Sequence, residues 1–362
     1  GSSLLLTANA GAFLGDLFAF QDTANLSRVE ARYYKKLPDR EIECELCPRQ
    51  CKLGDKERGY CGVRENIGGN YYTLVYGKAC TANVDPIEKK PFFHFLPGTR
   101  AFSIATAGCN VNCKFCQNWQ ISQVRAEQVR PLDLPPQDVV LSAQSYNCPS
   151  IAYTYTEPIV YYEYMYDTAV AARNRGIKSC VVTAGHINRD PLLDLIKVVD
   201  AIKIDLKSFS QEFYSRYVHG ELQPVLEAIR TVHQSKVWLE LVYLVIPTLN
   251  DDPEGIRQMS QWIRSEIGPD VPLHFSRFQP MYLVQNLPPT PISTLEKAHD
   301  IAQGEGLHYV YIGNVPGHKA ESTYCPRCQN VIVERFGFEV KKISIDGGKC
   351  KFCRNPVPGI WA

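Results

Sequence analysis

The chain has 362 residues, of which 45% are hydrophobic and 21% charged, with a formal net charge of +1. That length exceeds the roughly 100–200 residues of an average domain, fits one α/β barrel with small attachments and excludes any shortage of core. Near-neutrality excludes the overall basic excess that marks many nucleic-acid binders, and no segment reaches the roughly 18 consecutive apolar residues that span a bilayer.

At the N-terminus, Gly1–Ala10 lacks an initiator methionine. Leu4–Leu6 followed by Ala8-Asn9-Ala10 has the form of a secretory apolar region ending in an A-x-A cleavage site, without the basic segment that should precede it. An expression scar and a signal remnant are the two readings. Residues 1–40 are expected to be an extension, and 41–100 a module with a lead-in segment. In that module Cys44-x2-Cys47-x3-Cys51-x9-Cys61 places four thiols close together, with Pro48 and Gly59 assisting turns. Four thiolates suit a closed zinc site or an auxiliary iron–sulfur cluster, and the sequence does not separate the two.

The 14 cysteines are grouped rather than scattered; only Cys80, Cys148 and Cys180 stand apart. Grouped C-x2-C pairs in a large chain indicate metal binding rather than a disulfide framework. Reducing conditions follow, so the expected location is the cytoplasm, with export as the alternative that the N-terminus raises.

From residue 101, apolar β-rich runs alternate with helix-compatible segments, the pattern of parallel βα units. The strands are expected at Ala101–Ala107, Ser150–Thr156, Lys178–Ala184, Ala201–Leu206, Val237–Ile246 and Leu273–Phe278, with Tyr309–Ile312 as a candidate extra. Crossover helices are expected over Ile159–Arg175, Pro191–Val199, Leu222–Gln234, Pro253–Ile267 and Ile292–Gly304. The fold class is therefore α/β: a partial (β/α)6 TIM-type barrel over 101–315, between small N-terminal and C-terminal four-cysteine metal modules. The aromatic run Tyr161-Tyr162-Glu163-Tyr164-Met165-Tyr166 belongs to the core, because aromatics on a crossover helix pack against the sheet.

Directly after the first expected strand comes Cys109-Asn-Val-Asn-Cys113-Lys-Phe-Cys116. Three thiolates with no fourth nearby leave a coordination position open, as a catalytic rather than a structural metal site does. The later strand ends carry Thr154-Tyr155-Thr156-Glu157-Pro158, Ala184-Gly185-His186-Ile187-Asn188 and Asp205-Leu206-Lys207, where a barrel concentrates its chemistry. His186, His274, Arg277 and Tyr282 are further candidates for the cavity wall. The tail, 316–362, pairs Cys325-Pro326-Arg327-Cys328 with Cys350-Lys351-Phe352-Cys353 across β-forming residues. This is a zinc-ribbon or rubredoxin-like spacing that suits zinc or iron, slightly longer than the roughly 15–20 residues usual between such pairs.

The spacing C-x3-C-x2-C, with aromatic Phe115 before the third cysteine, resembles the signature of the radical SAM superfamily. The resemblance implies that Cys109, Cys113 and Cys116 ligate a [4Fe-4S] cluster whose open iron is chelated by S-adenosylmethionine (SAM). Thr156-Glu157-Pro158 stands where the superfamily has a Gly-Gly-Glu-Pro-like segment that holds the SAM amino group, with Tyr155 and Thr156 in place of the glycines. Asp205-Leu206-Lys207 is similar to a segment close to SAM in activating enzymes of glycyl radical proteins. Together with Val245-Ile246-Pro247-Thr248-Leu249-Asn250-Asp251, it points to the pyruvate formate-lyase activating branch. Tyr76-Gly77-Lys78, Pro91-Phe92-Phe93-His94-Phe95, His274-Phe275-Ser276-Arg277-Phe278 and the two outer cysteine groups resemble the AmmeMemoRadiSam system radical SAM enzymes over residues 40–361.

The resemblance implies Phe115, Asn118, Thr156, Glu157, Asn188, Asp205, Lys207 and His274 as cofactor-binding residues. It also implies three classes of partner: an electron donor such as flavodoxin or ferredoxin, a protein substrate, and AMMECR-type or Memo-type proteins. The expected reaction is reductive cleavage of SAM followed by hydrogen-atom abstraction from a protein, as in glycyl radical activation. Direct modification of a metabolite or RNA base, and a non-enzymatic metal-binding scaffold, are the alternatives.

Overall fold

The computed structural model describes residues 25–361. The readings placed on Gly1–Ala10, and much of the expected 1–40 extension, lie outside the described residues. At the centre is an eight-stranded sheet: β1 (Thr81–Pro86), β2 (Arg100–Ala105), β3 (Ser150–Tyr153), β4 (Lys178–Thr183), β5 (Ala201–Asp205), β6 (Trp238–Val245), β7 (Leu273–Arg277) and β8 (Val310–Gly313). Strands β2 to β8 run parallel in sequence order, and β1 closes one edge antiparallel to β2. The candidate strand at Tyr309–Ile312 is thus realised as β8.

The strands read as the chain is written. In β4, Ser179, Cys180, Val181 and Thr183 are all buried, as a parallel strand covered on both faces requires. Strand β1 escapes sequence reading because Thr81-Ala82-Asn83-Val84-Asp85-Pro86 is poor in β-formers and sits at an edge, where Asp and Pro are tolerated.

The crossover segments are helical at α1 (Pro136–Ser145), α2 (Tyr162–Arg173), α3 (Arg189–Leu195), α4 (Leu222–His233), α5 (Pro253–Glu266) and α6 (Ile292–Gly304). Helix α5 starts where its signals say: Asp252 accepts a hydrogen bond from Gly255 N at 2.8 Å, and Pro253 occupies the first turn. Helix α1 is not legible beforehand, since Pro131, Pro135 and Pro136 read as loop; Pro136 in fact initiates it. Tyr161, Tyr162, Tyr164 and Met165 are buried, in accord with a core role.

Two small β modules flank the sheet. The first contains two three-stranded antiparallel sheets: Tyr34–Lys36, Ile42–Cys44 and Lys52–Leu53 form one, and Val29–Glu30, Asn70–Thr73 and Arg64–Ile67 the other. It is fastened to α2 by the buried Arg64–Glu163 ion pair at 2.6 Å. The second contains Thr323–Tyr324, Val331–Phe336 and Glu339–Ile343, followed by the hairpin Ile345–Asp346/Lys349–Cys350. Its Arg335 is buried and donates to Phe93 O at 2.7 Å, while Ile360 N donates to His94 O at 2.7 Å. Among the described residues, no helix is long and apolar enough to cross a membrane.

Candidate active site and cysteine centres

A cavity of about 560 Å³ opens at the strand ends and is lined by Cys109, Cys113, Phe115, Cys116 and Asn118 from the loop after β2. Tyr155, Thr156 and Glu157 after β3, Asp205 and Lys207 at β5, and His274 on β7 line the same space. The four remaining candidates do not line it. Asn188 faces a separate groove and binds the first module through Glu45 O at 2.7 Å. His186 is buried near Glu221, Arg277 donates to Thr290 O, and Tyr282 stacks on Trp119 at 5.3 Å.

The cysteine loop is shaped by its backbone. Gly108 adopts a φ of 95°, and a Cβ there would stand 2.7 Å from the Cys61 carbonyl, so the loop needs glycine at its entrance. Asn112 N and Lys114 N donate to Val218 O and Tyr217 O, which ties the loop to the π-helical turn Tyr214–Val218 after β5. Phe115 is buried beside Phe213, with ring centroids 5.8 Å apart. Asn118 reaches across to donate to Tyr155 O at 2.8 Å. Burial pushes the Cys113 thiol up to about 12 and raises the Cys109 thiol well above its ordinary value. Without metal these groups stay protonated, and ligation would release their protons. Three thiols on one loop, facing a cavity with room for a ligand, fit a cluster with one open iron.

Glu157 is 2% exposed and fully engaged. Thr183 Oγ1 donates to its Oε1 at 2.6 Å, Ile159 N donates to the same oxygen at 3.2 Å, and Ala184 N donates to Oε2 at 2.8 Å. The carboxylate therefore clasps the ends of β3 and β4, while burial pushes its pKa upward against these donors. Before it, Tyr155, which stands where the superfamily-like segment has a glycine, holds a φ of 64°, in the left-handed region that favours glycine. A non-glycine residue there costs about 1–2 kcal/mol. The tyrosine hydroxyl donates to Asp85, which Lys90 holds at 2.5 Å.

Asp205 bridges Lys203 and Lys207, with Lys207 Nζ at 2.7 Å. Burial would raise its pKa, but the two ammonium groups win and hold it at about 2. His274 Nε2 meets Glu240 Oε2 at 2.7 Å while its Nδ1 has no protein partner. Burial lowers its pKa against the pull of Glu240.

Sequence reading did not place several other wall residues, among them Glu88, Lys90 and Phe93 from the lead-in, Lys203 on β5, and Glu321 and Phe338 from the last module. Lys203 carried one usable signal, a lone cation between the apolar Ile202 and Ile204 of its strand. The remainder are brought in by tertiary structure alone.

The two outer groups differ in their geometry. Cys325, Cys328, Cys350 and Cys353 have all their sulfurs within 4.8 Å of one another, with Sγ–Sγ separations of 3.6 Å for Cys325–Cys353 and 3.8 Å for Cys328–Cys350. They sit on matched knuckles. Cys325 N donates to Asn330 O and Cys350 N to Asn355 O, both at 2.9 Å, and Gln329 and Arg354 take left-handed conformations at equivalent places. Cys44, Cys47, Cys51 and Cys61 instead surround a small cavity with Arg64, Tyr71 and Asn110.

Comparison with known proteins agrees with this arrangement. Residues 103–259 match the Radical SAM superfamily. An uncharacterized protein of Methanocaldococcus jannaschii, MJ0808, is 46% identical over 326 residues, covering 90% of this chain and 97% of the relative. Pyruvate formate-lyase 1-activating enzyme of Escherichia coli is 26% identical over 172 residues, 46% of this chain and 70% of the relative. In fold, a radical SAM methyltransferase from Sphaerobacter thermophilus superposes with a TM-score of 0.51 at 14% identity, covering 84% of this chain and 81% of that one. With its cysteine loop, its parallel sheet and these relatives, the chain belongs to the radical SAM superfamily and is an enzyme of that type, related to activating enzymes.

Proposed function

We propose that the protein abstracts a hydrogen atom from a protein substrate, in the manner of the activating enzymes it is related to, with Cys109, Cys113 and Cys116 as cluster ligands. The observation that carries this reading is the convergence of those three cysteines with Asn118, Thr156, Glu157, Asp205, Lys207 and His274 on one cavity. When bound, a reduced [4Fe-4S] cluster supplies the electron that cleaves SAM to methionine and a 5′-deoxyadenosyl radical. The chain's own residues do the rest. Asn118 and Glu157 lock the loop and the β3 end in place, the Lys203–Asp205–Lys207 chain fixes charge beside the cysteines, and the cavity walls limit access of water to the radical. Family membership sets aside the scaffold alternative; direct modification of a metabolite or RNA base is the competing enzymatic reading.

The strand order supports a sheet curled into a partial barrel over 101–315, between the four-cysteine modules at 41–100 and 316–362. The C-terminal quartet fits zinc: a tetrahedral ion at about 2.3 Å from each sulfur sets sulfurs about 3.8 Å apart, close to the separations found. A flavodoxin- or ferredoxin-type donor, a protein substrate, AMMECR-type or Memo-type partners and a cytoplasmic setting complete the proposal. Anaerobic reconstitution followed by dithionite-driven turnover of SAM is the test. Formation of 5′-deoxyadenosine is expected, and a fully loaded protein that forms none overturns the reading.

A further inference from the structure

We infer that Cys44, Cys47, Cys51 and Cys61 hold an auxiliary iron–sulfur cubane rather than a zinc ion, placed directly behind the cysteine loop. The inference rests on reading Cys109–Cys116 as cluster ligands, because those cysteines serve as the internal standard. A zinc ion draws four sulfurs to within about 4 Å of one another, and the C-terminal quartet has that geometry. A cubane holds its thiolates apart by its own width. Among the described residues, no three of the N-terminal thiols come within 4.8 Å of one another, and neither do Cys109, Cys113 and Cys116. The N-terminal quartet thus differs from the zinc-type site in the same direction as the cluster loop does.

The thiols also leave open space beside them, which a closed tetrahedral zinc site does not need. All four cysteines line one cavity of about 20 Å³, more than the roughly 10–15 Å³ that admits a water-sized sphere. Its wall includes Arg64, 1% exposed, whose Nη atoms are held by Glu163 at 2.9 and 2.6 Å while Nε has no partner. A buried N–H without an acceptor costs about 1–3 kcal/mol, and a cluster sulfur is an acceptor. Tyr60 N already donates to Cys51 Sγ at 3.5 Å. Hydrogen bonds to sulfur are among the means by which proteins set cluster potentials.

The site adjoins the SAM-side loop directly. Asn110, next to Cys109, lines the N-terminal cavity, and Arg49 Nε donates to Asn110 O at 3.0 Å. The Cys61 carbonyl presses on Gly108 so closely that a Cβ would not fit. A second one-electron centre in this position would share a wall with the first.

The test uses full-length protein with Cys109, Cys113 and Cys116 all changed to Ala, reconstituted anaerobically with iron, sulfide and zinc. Iron and sulfide sufficient for one cubane, a Mössbauer doublet of the [4Fe-4S] type and one zinc per chain are expected. In wild type the iron should double. Zinc in twofold ratio to protein with no iron overturns the inference while leaving SAM cleavage by wild type intact. Cluster retention in the triple variant combined with no SAM cleavage by loaded wild type breaks the functional reading instead. Cys51→Ser in the triple-variant background should lose the remaining iron and keep the zinc. Native-like circular dichroism shows that such loss comes from ligation, and retained iron in that folded variant also overturns the assignment.

Discussion

Cys109–Cys116, Glu157, Asp205 and Lys207 all fall within residues 103–259, the part matched by the superfamily, whereas Glu88, Phe93, His274, Glu321 and Phe338 line the same cavity from outside it. The first set comes from successive strand ends and needs only the parallel sheet to converge. The second set needs the lead-in segment, the far strands and the last module to dock. The contrast teaches that one cavity is assembled from two sets of elements: strand ends inside the superfamily-matched region, which we propose serve the cofactor, and flanking segments outside it, which we propose meet the substrate.

The largest effect should come from the shared part. Cys113→Ala removes one thiol of the loop and is expected to abolish 5′-deoxyadenosine formation, while the zinc proposed for the C-terminal quartet stays at wild-type level. Wild-type turnover in this variant would dissolve the division between the two parts of the wall.

Glu157 separates positioning from contact. Glu157→Ala leaves Thr183 Oγ1, Ile159 N and Ala184 N without their acceptor. At about 1–3 kcal/mol for each unsatisfied buried group, the variant should lose about 3 kcal/mol or more, read by urea unfolding. An isostable variant with weakened SAM binding would instead make Glu157 a direct ligand of the cofactor.

Glu88 probes the part that lies outside the superfamily-matched region. Burial pushes its pKa to about 7, against the lowering pull of Arg335, from an ordinary 4.5. The folded state then holds a proton that the unfolded state releases, so the protein loses stability as pH rises from about 4.5 to 7 and levels off above that. The full swing is about 3 kcal/mol. Glu88→Gln should lack this slope and be the more stable protein at pH 8, by comparison of urea midpoints at pH 5 and pH 8. Parallel pH profiles for the two proteins would refute the assignment.

What the sequence made legible follows the same division. Six strands, the extra strand realised as β8 and five crossover helices were readable from apolar periodicity, and the cysteine loop, Asp205 and Lys207 from short motifs, because each is a local pattern. Strand β1 and helix α1 were not readable: an edge strand carrying Asp and Pro, and a helix opened by a proline pair, lack the usual signals. Asn188 illustrates the converse. Its place after a strand suggested the cavity, yet a hydrogen bond to Glu45 O turns it toward the first module. Glu88 and Phe338 carry no motif, since their meeting depends on Arg335 bridging segments far apart in sequence.

Phe338 gives the smallest and most discriminating effect. It lines the cavity while remaining 44% exposed, so its ring contributes little to the core. Phe338→Ala should shift stability by no more than about 0.5 kcal/mol, as surface substitutions do. Dithionite-driven SAM cleavage without substrate should match wild type, because the cysteines, Asn118 and the Lys203–Asp205–Lys207 chain are untouched. A fall in that uncoupled rate would mean that the last module shapes the cofactor's own pocket, and the two origins of the wall would no longer correspond to two functions. An unchanged rate places Phe338 outside the cofactor's own pocket, on the part of the wall that we propose meets the substrate.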